Sequence, residues 1–270
     1  MKLMITGASG GIGLYLANEL SKTHDVWGVA RSPRNQNFGF RFTPFDLTEP
    51  DQVFKLSEDV EKHWSELDGL VCCAGIQGTI SPFSEVNPID WLHAVHLNLA
   101  SMVLPINILL PLIVKSKKGK IICFSGGGAT SPRPNFSAYA CAKIGIVRLV
   151  EILAKEFQEL SIIINAIAPG PIYTGMTDEI LSHDPDVVGV DEYENAKLLS
   201  KTKNNNLLKV LNLVRFLLSS DSNGISGRLI SALWDDWESW PENLDELKKS
   251  DVYTLRRVTG RDRGFPWGDK

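Results

Sequence analysis

The 270-residue chain is short of several things, and each shortage narrows what it does. Positive charge is not in excess: 28 lysines and arginines stand against 32 acidic residues, for a formal net charge of −4. That balance leaves no electrostatic footprint for nucleic acid or for an anionic membrane surface. Cysteine is scarce. Cys72, Cys73, Cys123 and Cys141 show no CxxC spacing and lie in apolar runs, which fits free thiols in a reducing compartment and argues against a disulfide scaffold. His93 and His96 share a helix face but have no third ligand in view, so no metal site is expected. The apolar start is too short for a signal-peptide core, and the run at 102–114 is shorter than a bilayer crossing and carries two prolines. Together these absences predict a cytoplasmic protein whose partner is a small molecule.

What is present is an alternation. Short apolar runs, "KLMIT" (2–6), "VWGVA" (26–30), "FRFTPFD" (40–46), "GLVCCAG" (69–75), "KIICFS" (120–125), "SIIINAIAPG" (161–170) and "RLISA" (228–232), are separated by longer amphipathic segments. The segments after the first, third, fourth, fifth and sixth runs predict helices over 11–22, 50–64, 88–115, 137–157 and 206–219. Strands apolar throughout and joined by helices imply a parallel sheet covered on both faces. The expected fold is therefore a single α/β domain over residues 1–232, doubly wound and of Rossmann type. Two segments break the pattern. Residues 171–205 form a long polar connection, a candidate lid. Residues 233–270 form an extension with tryptophans at 234, 237 and 240 and four arginines in "YTLRRVTGRDR". It reads either as a helix docked on the domain with a solvated end, or as an arginine cluster facing an anionic substrate or a neighbouring subunit.

The first strand runs into "TGASGGIG", where glycines let a pyrophosphate approach the N-terminus of the following helix. The spacing (Thr6, Gly7, Gly11, Gly13) is not GxGxxG. It resembles that of the short-chain dehydrogenase/reductase family, and further motifs follow in order: Asp46 and Leu47 in "FDLT", "CCAG" at 72–75, Asn98 in "LNLAS", Tyr139 and Lys143 in "YACAK", and "NAIAPGPIYT" with Pro169, Gly170, Ile172 and Thr174. The resemblance spans residues 3 to about 231. It implies a nicotinamide cofactor held by Gly7, Ser9, Gly11, Ile12, Gly13, Arg31, Ser32, Asp46, Leu47, Cys73, Ala74, Gly75, Asn98, Tyr139, Lys143, Pro169, Gly170, Ile172 and Thr174. At the end of the second strand, where the family carries an acidic residue for NAD, stand Ala30, Arg31 and Ser32. An arginine there pairs with a 2′-phosphate, which favours NADP(H), with NAD(H) as the alternative.

Tyr139 and Lys143, at i and i+4, share a helix face. An adjacent ammonium stabilises phenolate and is expected to lower the tyrosine pKa. The resemblance implies that Tyr139 exchanges a proton with the oxygen of a carbonyl or alcohol substrate, that Lys143 tunes it, and that Asn98 holds a water in the proton relay. It also implies an orienting serine thirteen residues before the tyrosine. That place is Gly126, and the nearest hydroxyl is Ser125. Either the glycine run 126–128 shifts to bring Ser125 to the substrate, or Ser125 is only the polar end of a strand. The resemblance further implies a homodimer or homotetramer formed through the two long helices. The expected function is an NADP(H)-dependent oxidoreductase; the alternative is a non-catalytic, dinucleotide-binding member. Arg133 and the tail arginines suggest an anionic substrate.

Overall fold

The computed structural model describes residues 1–32, 38–202 and 206–267. Among these, seven strands form one parallel sheet: β1 (Lys2–Thr6), β2 (Asp25–Ala30), β3 (Arg41–Pro44), β4 (Gly69–Cys72), β5 (Lys120–Phe124), β6 (Ile163–Ala168) and β7 (Leu229–Ser231), in the order β3-β2-β1-β4-β5-β6-β7. The helices are α1 (Gly11–Leu20), α2 (Pro50–Trp64), α3 (Pro88–Lys115), α4 (Ser137–Glu156), α5 (Gly175–Leu181), α6 (Pro185–Val188), α7 (Val190–Thr202), α8 (Leu207–Leu218) and α9 (Leu244–Lys249).

Successive strand residues point to opposite faces, so a strand that is apolar at every position feeds two cores. Met4, Leu70, Ile121 and Ile164 pack with residues of α2, α3 and α4 on one face. Leu3, Ile5, Val71, Ile122 and Ile167 pack with α1 and α8 on the other. The strand order reverses between β1 and β4, and in a sheet of this kind the crevice at the C-terminal ends of those strands is where ligands bind.

Three expectations need correction. The apolar run at 102–114 is part of the 28-residue helix α3, which is long and apolar enough to cross a bilayer by length and composition; half of its most apolar stretch is buried within the protein. Met102, Ile106, Leu109 and Ile113 pack in the core against the sheet. Second, the connection 171–205 is not a loop. It folds into α5, α6 and α7, started by a capping box between Thr174 and Thr177 and by an Asp184 cap with Pro185 in the first turn. Its small core joins Ile180, Val188 and Ala196 to Phe136 and Ile80. Third, the tail tryptophans do not share a face. Trp237 and Trp240 are buried in a 3-10 turn over Trp237–Asn243 interrupted by Pro241, and Trp234 is exposed. Residues 203–205 of the lid and 268–270 of the extension lie outside the described residues.

Candidate active site

The glycine loop after β1 is shaped by close approach. Gly7 has φ +68, and a Cβ there would meet the Ala74 amide nitrogen at 2.9 Å; one on Gly13 would come within 2.5 Å of the Gly7 carbonyl oxygen. No side chain fits either place. The Thr6 hydroxyl accepts hydrogen bonds from the amides of Cys73 and Ala74, both at 3.1 Å, and so ties the end of β1 to the end of β4. Thr6 is the site residue that the motif named without revealing its task. Helix α1 starts at Gly11 with no side-chain cap on its first amides, and Gly11 faces Thr174, whose methyl carbon would lie 3.6 Å from an added Cβ. An uncapped helix N-terminus beside a loop cleared of side chains is a cradle for a pyrophosphate, and the residues present fit a dinucleotide.

Ser9 lies on this loop and Ile12 in the first turn of α1. Arg31 and Ser32 are exposed just beyond β2. Asp46 accepts from the Thr48 amide and hydroxyl at 2.9 and 2.7 Å. Burial raises its carboxyl pKa, but the two Thr48 bonds and the charge of Arg31 outweigh it and hold the group below the ordinary value. Leu47 is buried in the core, so only its backbone can face a ligand. Ile172 is likewise buried, while Pro169 and Gly170 form the turn after β6.

Helix α4 carries Tyr139 and Lys143, both buried, with the Lys143 ammonium 5.3 Å from the Tyr139 ring centre. Lys143 Nζ donates to the Phe124 carbonyl at 3.1 Å, and burial pulls its pKa down to about 8, against a small opposing pull from Cys73 and Cys123. The expected depression of the tyrosine is not found. Burial raises the Tyr139 phenol above its ordinary value, and the cation that partly offsets this is Arg133. Asn98, fully buried on α3, donates to the carbonyls of Ile76 and Ala94 and accepts from the Ile76 amide. Its amide is thus committed to splinting the loop after β4 onto α3. Gly75 completes the group: a Cβ there would lie 2.8 Å from Asn98 Oδ1 and 3.5 Å from Lys143 Nζ.

Ser125 is not part of this convergence. Its hydroxyl donates to the main-chain carbonyl of Lys143 at 3.3 Å and is buried. Gly126 faces Tyr139 instead: a Cβ there would stand 2.6 Å from the phenol oxygen. Ser125 lies just past the end of β5 and is bonded into α4 rather than being presented by a shifted glycine run. Two of the arginines that suggested an anionic substrate already have carboxylate partners. Arg133 pairs with Glu192 of α7, and Arg256 with Asp251 and Asp262. Glu192 had no sequence signal, because its partner lies 59 positions away on another segment.

The chain is similar to known proteins over most of its length. The family model described as short chain dehydrogenase matches residues 2–185. A 3-oxoacyl-acyl-carrier-protein reductase of Buchnera aphidicola is 28% identical over 242 residues, covering 84% of this chain and 93% of that protein. A benzil reductase of Saccharomyces cerevisiae is 29% identical over 194 residues, 66% of this chain and 74% of that one. A short chain dehydrogenase of Shigella flexneri, solved in complex with NADP, superposes with a TM-score of 0.72 at 24% identity, covering 85% of this chain and 95% of that one.

Proposed function

Because this chain belongs to the short-chain dehydrogenase family, we propose that it is an NADP(H)-dependent oxidoreductase that interconverts a carbonyl and a secondary alcohol, with Tyr139 as the acid-base group. The observation that carries this reading is the meeting of Tyr139, Lys143, Asn98 and Gly75 at the crevice beside the glycine cradle. When bound, the nicotinamide supplies or accepts the hydride. Gly7, Gly11, Gly13 and the start of α1 hold its pyrophosphate, Thr174 closes the far side, and Arg31 receives the 2′-phosphate. The NADP complex of the Shigella flexneri relative supports that choice of dinucleotide.

The chain's own part is proton transfer. A phenol whose pKa is raised by burial stays protonated through neutral pH, which is the form that donates a proton to a carbonyl oxygen. The rate of reduction is therefore expected to hold through neutral pH and to fall as the phenol ionises, whereas the rate of alcohol oxidation is expected to rise with pH. Exposed apolar side chains on α3 and α4, such as Leu92, Val103, Ile144 and Ile152, suit pairing of two copies, and the free cysteines suit a reducing compartment. A second reading, a dinucleotide-binding member without turnover, is favoured by one observation, the glycine at 126. The two separate in one experiment: NADPH consumption over a panel of ketones, 1,2-diketones and keto-sugars, with Tyr139→Phe alongside. Turnover that disappears in Tyr139→Phe while NADPH affinity is kept supports the reductase. NADPH binding with no turnover across the panel supports the second reading, and turnover surviving in Tyr139→Phe refutes the role of the tyrosine.

A further inference from the structure

Glycine at 126 leaves a chemical need unmet. As hydride reaches a carbonyl carbon the oxygen gains negative charge, and sites for such reactions stabilise it with preorganised donors aimed at that oxygen. Tyr139 is one donor, and Gly126 has no side chain to supply the second; a Cβ there would lie 2.6 Å from the phenol oxygen.

Arg133 stands beside the same phenol. Its guanidinium carbon lies 5.7 Å from the Tyr139 ring centre and 3.7 Å from that of Phe136, which is fully buried. The glycine run gives its stem a path: a Cβ on Gly127 would meet Arg133 Cδ at 3.8 Å, and one on Gly128 would meet Arg133 Cβ at 3.4 Å. At the far end Nε and Nη2 are both taken by Glu192 of the lid helix α7. Nη1 makes no hydrogen bond among the described residues. The charge balance selects what this edge can take. An anion brought here competes with Glu192 for the guanidinium, whereas a neutral carbonyl oxygen needs only the spare N–H and acquires its charge in the transition state.

We propose that Arg133 is the second donor to the reacting carbonyl oxygen, in place of a hydroxyl at 126, and that Glu192 positions it from the lid. The proposal rests on the reductase reading above, and its failure can be told apart from failure of that reading. Arg133→Met keeps the stem over Phe136 and removes the charge; Arg133→Lys restores a charge without the fork. Both are compared with the intact protein for NADPH affinity, for kcat and KM on a neutral 1,2-diketone, and for the absorbance titration of Tyr139, identified by difference from Tyr139→Phe. In Arg133→Met we expect kcat to fall about 100-fold, NADPH affinity to hold, and the Tyr139 titration to move to higher pH. Arg133→Lys returns the titration and part of kcat. Unchanged kcat in Arg133→Met overturns the proposal. So does a loss that Arg133→Lys does not relieve and that leaves the titration unmoved, which is the mark of a merely structural residue. If the intact protein turns over nothing in the panel, or Tyr139→Phe stays active, the reductase reading falls and takes this proposal with it; if it turns over a ketone or keto-sugar but no diketone, that substrate replaces the diketone in the comparison. A dead Tyr139→Phe with a fully active Arg133→Met removes Arg133 alone.

Discussion

Lys143 shows that the demands of stability and of the site pull apart at single residues. An ammonium held in a buried position with one carbonyl for a partner is disfavoured, and its pKa drops from 10.5 to about 8. Each unit of such a shift is worth about 1.4 kcal/mol, so at neutral pH the charge costs the fold a few kcal/mol. The sign follows from proton counting. Between about pH 8 and 10.5 the unfolded chain binds more protons at this residue than the folded one, so its unfavourable contribution fades as pH rises through that window. Lys143→Met, which keeps the apolar stem, should therefore raise the melting temperature at pH 7 while abolishing turnover, and the gain should shrink toward pH 10. Calorimetry at the two pH values decides it; a lowered melting temperature at pH 7 would mean that the contact with the Phe124 carbonyl outweighs desolvation.

Among the elements, the sheet and its covering helices were readable from the sequence because their signals are local: uniformly apolar strands, and periodic helices with a proline in the first turn of α2 and α3. The glycine cradle was legible for the same reason, its residues being neighbours in the chain. The lid was not. Helices α5 to α7 are short and polar, and they are held by contacts to Phe136 and Arg133 that no local window contains. The Tyr139 titration was misjudged because burial, which outweighs the nearby cation, is a property of the packed structure. The junction of β1 with β4 is also non-local, and it can be tested. Thr6→Val keeps the shape of the side chain but leaves the amides of Cys73 and Ala74 without their acceptor, a loss of about 1–3 kcal/mol for each buried group so stranded. Weaker NADPH binding together with a lower melting temperature is the expected result. Unchanged affinity, measured by fluorescence titration, would show that the loop keeps its shape without the hydroxyl.

At the scale of the whole molecule, the extension after β7 is integral to the fold. Trp237, Trp240 and Leu247 belong to the same core as α1 and α8. Behind them Arg228, buried immediately before β7, donates to the carbonyls of Leu247, Ser250 and Val252. Trp240 packs tilted against Tyr253 with ring centres 4.4 Å apart, and Leu255 is held by Arg148 and Glu151 of α4. The arginine is the clasp of this strap. Arg228→Met should cost on the order of 3 kcal/mol and open the segment after Leu247 to protease, with NADPH affinity retained because the cradle lies at the other end of the strands. Protease resistance equal to that of the intact protein would show that the aromatic packing suffices.

The contact between position 126 and the Tyr139 phenol also bears on how the protein can change over generations. Glycine and serine codons can lie a single base apart, so the substitution that would give this chain a hydroxyl at that place is among the most accessible to it. The step has a steric cost: the first carbon of a new side chain would arrive 2.6 Å from the phenol oxygen, so the Tyr139 ring would have to give way as the serine arrived. A hydroxyl at 126 is therefore one base away in the gene but is accommodated only with an adjustment around Tyr139.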